Sequence, residues 1–156
     1  MDREIACTVN GAAMRIGAAP GTSLLEVLRN QLDLKGSRYG CGLEQCGACM
    51  VLVDGTPVHA CTRDIATLEG RAVTTIEGLA GHALLAAFLE EQAGQCGYCL
   101  SGILISAAAL LAANPSPERA EIVAALDGHL CRCGAQPRIL RAIARAAATL
   151  RQEAAQ

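Results

Sequence analysis

Cysteine is the residue type that could do chemistry in this chain. Three cysteines share one short stretch, Cys41-Gly42-Leu43-Glu44-Gln45-Cys46-Gly47-Ala48-Cys49, and Cys61 follows after eleven further residues. The spacing C-x4-C-x2-C with a distant fourth thiol is the plant-type ligand pattern of a [2Fe–2S] cluster. A second quartet is made of Cys96-x2-Cys99 and Cys131-x-Cys133. Eight of the nine cysteines fall into these two groups. The chemistry open to them is one-electron transfer through bound iron, with Cys41, Cys46, Cys49 and Cys61 on one cluster and Cys96, Cys99, Cys131 and Cys133 on another.

A loop carrying three thiolates to one small inorganic core has to curl tightly. Gly40, Gly42 and Gly47 permit that curl and allow close approach. Such a loop also turns backbone N–H groups toward anionic sulfur, where they help set the reduction potential. Lys35 and Arg38 stand near the loop, either as counter-charges to a cluster or as ordinary surface charges.

The second quartet admits an alternative, a zinc ion held by four cysteines. Zinc knuckles are mostly paired C-x2-C units about 15 to 20 residues apart, and a C-x-C second half is less usual. A Rieske centre needs two histidine ligands. His59, His82 and His129 show no such pairing and read as surface or loop histidines. Cys7 alternates with Ile5 and Val9 and reads as a small buried hydrophobe.

Of the 156 residues, 52% are hydrophobic but only 2% aromatic, so each half of the chain would be marginal on packing alone. Metal clusters would then also serve as staples. The net charge is −2, with no basic stripe, which argues against nucleic-acid binding. The longest apolar run, Ile103–Ala113, is broken by Ser106 and is too short to span a bilayer. Met1-Asp2-Arg3-Glu4 resembles neither a secretory nor a twin-arginine signal, so a cytoplasmic location is expected. Cysteines in that setting point to metal rather than disulfides.

The elements that must position the thiols can be read in order. Ile5–Val9 alternates as a strand, Asn10-Gly11 is a hairpin turn, and Ala13–Ile16 returns. Ser23-Leu24-Leu25-Glu26 opens a helix to about Gln31, with Leu24, Leu25, Val27, Leu28 and Leu32 on its apolar face. After the cysteine loop come strands Ala48–Val53, Pro57–Cys61 and Arg71–Ile76, the first two joined at Asp54-Gly55. From about residue 80 the spacing turns helical: Gly81–Ala93, Leu100–Ala113, a helix begun by Ser116-Pro117-Glu118 and ending near Asp127-Gly128, and Pro137–Arg151. The expected fold is α+β, with an N-terminal β-grasp ferredoxin-like domain (1–79) and a C-terminal four-helix bundle (80–156). Both cysteine pairs of the second quartet lie in joints between helices, and an antiparallel bundle would bring those joints to one end. The alanine-rich stretches Ala107–Ala113 and Ala142–Ala148 fit packing within the bundle better than a partner interface.

Five segments carry a resemblance to a known family: Tyr39-Gly40-Cys41-Gly42, Cys46-Gly47-Ala48-Cys49, Thr74-Thr75-Ile76-Glu77-Gly78-Leu79, Gln95-Cys96-Gly97-Tyr98-Cys99 and Leu130-Cys131-Arg132-Cys133. Nearly the whole chain resembles the small iron–sulfur subunit of the molybdenum hydroxylases, the xanthine dehydrogenase and aldehyde oxidoreductase family. It is most similar in look to small subunits acting on N-heterocycles, such as those of nicotinate dehydrogenase and isoquinoline oxidoreductase. The resemblance implies that a separate large subunit binds molybdopterin, that the bundle's cluster lies nearest to it, and that Gln95 and Cys133 contact the pterin.

It further implies that electrons from hydroxylation of an N-heterocycle or oxidation of an aldehyde pass through both clusters to an external acceptor. A flavoprotein carrying FAD, or a haem cytochrome, could supply that acceptor. No acid, base or nucleophile constellation is present, so the chain alone should be inactive. Two departures from the family pattern stand next to the second quartet: His129 where Asn is usual, and Gly134-Ala135-Gln136-Pro137 after the pair. A free-standing two-cluster carrier and a zinc-stapled interaction module are the competing readings.

Overall fold

The computed structural model describes residues 3–155. Strands β1 (Arg3–Val9) and β2 (Ala12–Ala18) form an antiparallel hairpin in which Val9 faces Ala12. Asn10 and Gly11 take φ of 49° and 82°, the left-handed pair that a two-residue turn needs to match strand twist. The β3 (Met50–Val53) and β4 (Thr56–His59) hairpin repeats the device, with Asp54 and Gly55 at φ of 49° and 80°. Strand β5 (Ala72–Thr74) lies between the hairpins, parallel to β1 and antiparallel to β3, giving the order β2-β1-β5-β3-β4. Helix α1 (Leu24–Glu26) widens into a π-type turn over Val27–Gln31 and buries Leu24, Leu25, Val27 and Leu28 on the sheet's core. The Ser23 hydroxyl accepts the Glu26 N–H and caps the helix start.

Four helices follow: α2 (Ala83–Glu90), α3 (Leu100–Ala113), α4 (Arg119–Ala125) and α5 (Gln136–Ala154). Helix α3 is buried on every side from Ser101 to Ala108, which is why its sequence is apolar all round. It packs between the other helices and strand β3, so Met50 belongs to the helical core. Helix α5 is amphipathic, burying Ile139, Ala142, Ile143, Ala146 and Ala147 at helical spacing. Ala107, Ala108, Ala142, Ala146 and Ala147 are all buried, so the alanine stretches serve packing within the bundle. The architecture is the expected α+β arrangement of β-grasp and helical bundle. The strands are shorter than their apolar runs suggest, because Ala48 lies in a turn, β4 stops at His59 and Ile76 opens a 3-10 turn over Ile76–Leu79.

The Thr74–Leu79 segment is explained by one polar network. Asn10 Nδ2 donates to Thr75 Oγ1 at 2.9 Å, and Thr75 N–H donates to Asn10 Oδ1 at 2.8 Å. Glu77 then accepts from the Thr75 hydroxyl at 2.5 Å and from the Gly36 N–H at 2.8 Å. Gly36 precedes the first cysteine loop, so this network fixes the loop's entry against the β1–β2 turn.

Candidate metal centres

All nine cysteines are free thiols. In the first group they meet as pairs. The Cys41 N–H points at Cys46 Sγ at 3.4 Å, and the N–H groups of Leu43 and Gln45 point at Cys41 Sγ at 3.3 and 3.2 Å. Those two amides hold the Cys41 thiol down at about 7. The Cys49 S–H donates a hydrogen bond to Cys61 Sγ, and burial pushes the Cys49 thiol up to about 12. The fit is tight: a Cβ built on Gly40 would lie 2.6 Å from Cys46 Sγ.

The second group converges from two joints. Cys96 and Cys99 sit between α2 and α3, and Cys131 and Cys133 sit between α4 and α5. Cys96 pairs with Cys133 and Cys99 with Cys131, and all four line one cavity of about 180 Å³. The Tyr98 N–H faces Cys96 Sγ at 3.5 Å, and with Cys133 it lowers the Cys96 thiol. Burial raises Cys99 to about 12. Each group therefore offers four thiols in two pairs. That is the donor set of a binuclear cluster in which each iron takes two cysteines.

The two groups are neighbours. Cys46 of the first lines the cavity of the second, and its carbonyl accepts the N–H of Leu130, next to Cys131, at 3.1 Å. Gly102 of α3 packs on Gly47 so closely that a Cβ would fall 1.9 Å from the Gly47 carbonyl oxygen.

The two cations near the first loop separate. Lys35 turns back to the Arg29 carbonyl and Asp33, whereas Arg38 crosses to the Gly97 carbonyl at 3.0 Å. Gln95 is exposed beside exposed Cys96, and Cys133 meets Cys96 from the other joint.

The histidines correct the sequence reading. His82 caps α2, its Nδ1 accepting the Leu84 N–H at 3.1 Å. His129 is neither a surface nor a free loop residue. Its Nε2 bonds Ser106 Oγ at 2.7 Å, and its ring fills the seam beside Gly47. Burial, with His59 nearby, holds its pKa down at about 4. His59 Nε2 and His129 Nδ1 are buried without a hydrogen-bond partner among the described residues. Sequence reasoning marks His129 and Gln136 as departures beside the second quartet but misses their partners: Ser106 for His129, and the Cys131 carbonyl, to which Gln136 Nε2 donates at 3.1 Å. A signal for the place of His129 is Gly102, a glycine inside a long apolar helix, where close backbone approach is its usual reason.

A mixed five-stranded sheet followed by a helical bundle, each bearing paired thiols, defines a two-centre iron–sulfur protein. Comparison with known proteins narrows the class. Residues 7–86 match the 2Fe-2S iron-sulfur cluster binding domain, and residues 75–144 the [2Fe-2S] binding domain. The chain is 46% identical to a nicotinate dehydrogenase subunit of Pseudomonas putida, over 97% of this chain and 99% of that one. It is also 46% identical to the alpha subunit of isoquinoline 1-oxidoreductase from Brevundimonas diminuta, over 89% and 94% of the two. Among solved structures, quinoline 2-oxidoreductase of Pseudomonas putida 86 superposes with a TM-score of 0.92 at 34% identity, covering 97% of both chains. The aldehyde oxidoreductase of Desulfovibrio desulfuricans gives 0.92 at 39% identity; the match covers 96% of this chain and 17% of that longer one. The chain belongs to the family of small [2Fe–2S] subunits of molybdenum hydroxylases. Its role is electron transfer, as the non-catalytic iron–sulfur subunit of an oxidoreductase. No helix of the described residues is long and apolar enough to cross a membrane.

Proposed function

We propose that Cys41, Cys46, Cys49 and Cys61 hold one [2Fe–2S] cluster and that Cys96, Cys99, Cys131 and Cys133 hold the other. Bound there, the clusters supply one-electron uptake and release. The protein supplies orientation, burial and amide dipoles. The observation that carries this reading is the seam: Cys46 lines the cavity of the second quartet, so the two thiol sets share a wall. A division into 1–79 and 80–156 follows the two hydrophobic clusters, around α1 and around α3, except that Met50 and Leu79 of the first segment pack in the helical one.

The second quartet is the side that faces the molybdopterin-binding partner. Cys96 and Gln95 are exposed there, and Tyr98 and Leu130 expose 48% and 66% of their surface although both are large and apolar. Gln95 and Cys133 are the pterin contacts. His129 keeps the Cys131–Cys133 joint on the first loop, the place where the family's usual Asn is missing.

The first cysteine loop, with Leu43 exposed at its tip, faces the acceptor, which is a flavoprotein, a haem cytochrome or another carrier. The substrate class is an N-heterocycle, as the names of the nicotinate and isoquinoline relatives suggest, with aldehydes the second choice. The complex is placed in the cytoplasm.

The test is anaerobic co-expression with a molybdopterin-binding large subunit of this family, followed by metal analysis and EPR. About four irons per chain and two distinct reduced-cluster signals are expected, together with a co-purifying molybdenum subunit. Stoichiometric zinc in colourless protein defeats the redox assignment. A fully loaded monomer that captures no molybdenum-containing partner instead favours a free-standing carrier.

A further inference from the structure

The Gly97–Tyr98 peptide unit lies between two unlike partners. Its carbonyl accepts Arg38 Nη1 at 3.0 Å, and its N–H faces Cys96 Sγ at 3.5 Å. Among the described residues no peptide bond is cis, so this C=O and N–H point in opposite directions. Whatever holds the carbonyl also aims the N–H. Gly97 takes φ of 76°, which makes this orientation accessible to the chain.

Arg38 is itself fixed. Its backbone N–H is bonded to the Ala48 carbonyl at 3.0 Å within the first cysteine loop, and its guanidinium lies 5.3 Å from the centroid of the Tyr98 ring. The Tyr98 hydroxyl in turn donates to the Tyr39 carbonyl. The backbone of Arg38 thus belongs to the first cage, and its charge reaches the second.

We propose that Arg38 is a positioning residue for the second cage: it locks the Gly97–Tyr98 peptide with its N–H on Cys96 and brings a fixed positive charge there, so that a cluster in this cage is easier to reduce. The inference rests on the cluster assignment above. The electron step it affects transfers one electron into the cluster and neither makes nor breaks a bond. The added negative charge is what the amide dipole and the guanidinium favour. Because the charged end sits on the Cys96–Cys99 loop, the effect is larger on that cluster than on the Cys41 cluster, which serves as the internal control.

The experiment is an EPR-monitored redox titration of the loaded complex, with Arg38→Gln and Arg38→Lys beside the parent. In Arg38→Gln, with about four irons per chain retained, the reduced-to-oxidised ratio of the second cluster at fixed potential falls about tenfold, equivalent to about 59 mV for one electron. The first cluster moves less. Arg38→Lys keeps the charge but loses the planar guanidinium, and falls between. Equal movement of both midpoints, or none, overturns the proposal. Should Arg38→Gln load fewer irons, Arg38→Lys is judged by the same criterion. Two signals in the parent with an unmoved second midpoint in the variant defeat this inference alone. Absence of two signals in the parent defeats the cluster assignment beneath it.

Discussion

The two cages solve one problem by opposite means. In the first, three cysteines ride one loop of nine residues, and the fourth lies just beyond the end of β4. Eleven residues separate Cys49 from Cys61. In the second, 31 residues separate Cys99 from Cys131, and α3 and α4 fill the interval. The first is local geometry, so local spacing encodes it. The second exists only when α2–α3 and α4–α5 have packed, so it depends on the fold and in return should staple it. Metal that closes a long excursion removes more unfolded-state freedom than metal that closes a short one.

The largest expected effects follow from that contrast. Cys49→Ala and Cys99→Ala should each cost about two irons per chain, read by iron analysis, and each should remove one EPR signal while sparing the other. Stability should not fall equally. On loop-closure entropy alone, losing the second cage costs about 1 kcal/mol more than losing the first, from the logarithm of the two separations. For a chain of this size that is a further drop of about 2–4 °C in Tm. An equal or smaller drop for Cys99→Ala would show that the bundle holds itself together without metal.

The seam between the cages gives a sharper intermediate test. Gly102→Ala puts a methyl 1.9 Å from the Gly47 carbonyl oxygen, and backbone rather than a flexible side chain must yield. Helix α3 would have to move away from the first loop. The expected cost is about 1–3 kcal/mol by chemical denaturation, against the gain of about 1 kcal/mol that alanine brings to an unencumbered helix interior. A stabilised variant would mean that the two halves meet less closely than the structure shows.

Legibility in the sequence follows the same division between local and distant. Both hairpins are readable from Asn10-Gly11 and Asp54-Gly55, because one residue pair sets the turn. The helices are readable from period, and the expected end of α1 at Gln31 is where its π-type turn ends; the start of α4 is not at the expected Ser116 cap, because Glu118 caps it through a capping box with Glu121. The first cysteine loop is readable from spacing, and the second from the placement of its thiols in helix joints. The partners of Arg38, Ser106 and His129 are not readable, although Arg38 and His129 themselves stand out beside the cysteines. Each partner lies 23 or more residues away, as in Arg38 to Gly97 and Ser106 to His129, and no periodic pattern records such a pair. His129 looks like a loop histidine in the sequence because the glycines that make room for it, Gly47 and Gly102, are remote along the chain.

The smallest expected effect lies in the support of the first cage, at Glu77. Burial alone would raise its pKa, but the Thr75 hydroxyl and the Gly36 N–H outweigh burial and hold the carboxyl below its ordinary value. A depressed folded pKa gives stability that is present above the unfolded pKa and is lost as pH falls through the folded one. Glu77→Gln keeps the shape and one acceptor but loses the charge. It should cost about 1 kcal/mol at neutral pH, a modest figure because the side chain is partly in water. The variant should unfold faster than the parent in urea after a jump to pH ~7, and the two rates should converge as the jump is taken to a pH below the ordinary carboxylate range, where the parent's carboxyl is protonated as well. Stopped-flow unfolding reads this before acid attacks bound iron. Because Glu77 holds Gly36, ahead of the first loop, the loss should appear in the absorbance decay of the Cys41 cluster and spare the other. A decay shared equally by both clusters would mean that the seam, rather than either cage, is the unit that opens first.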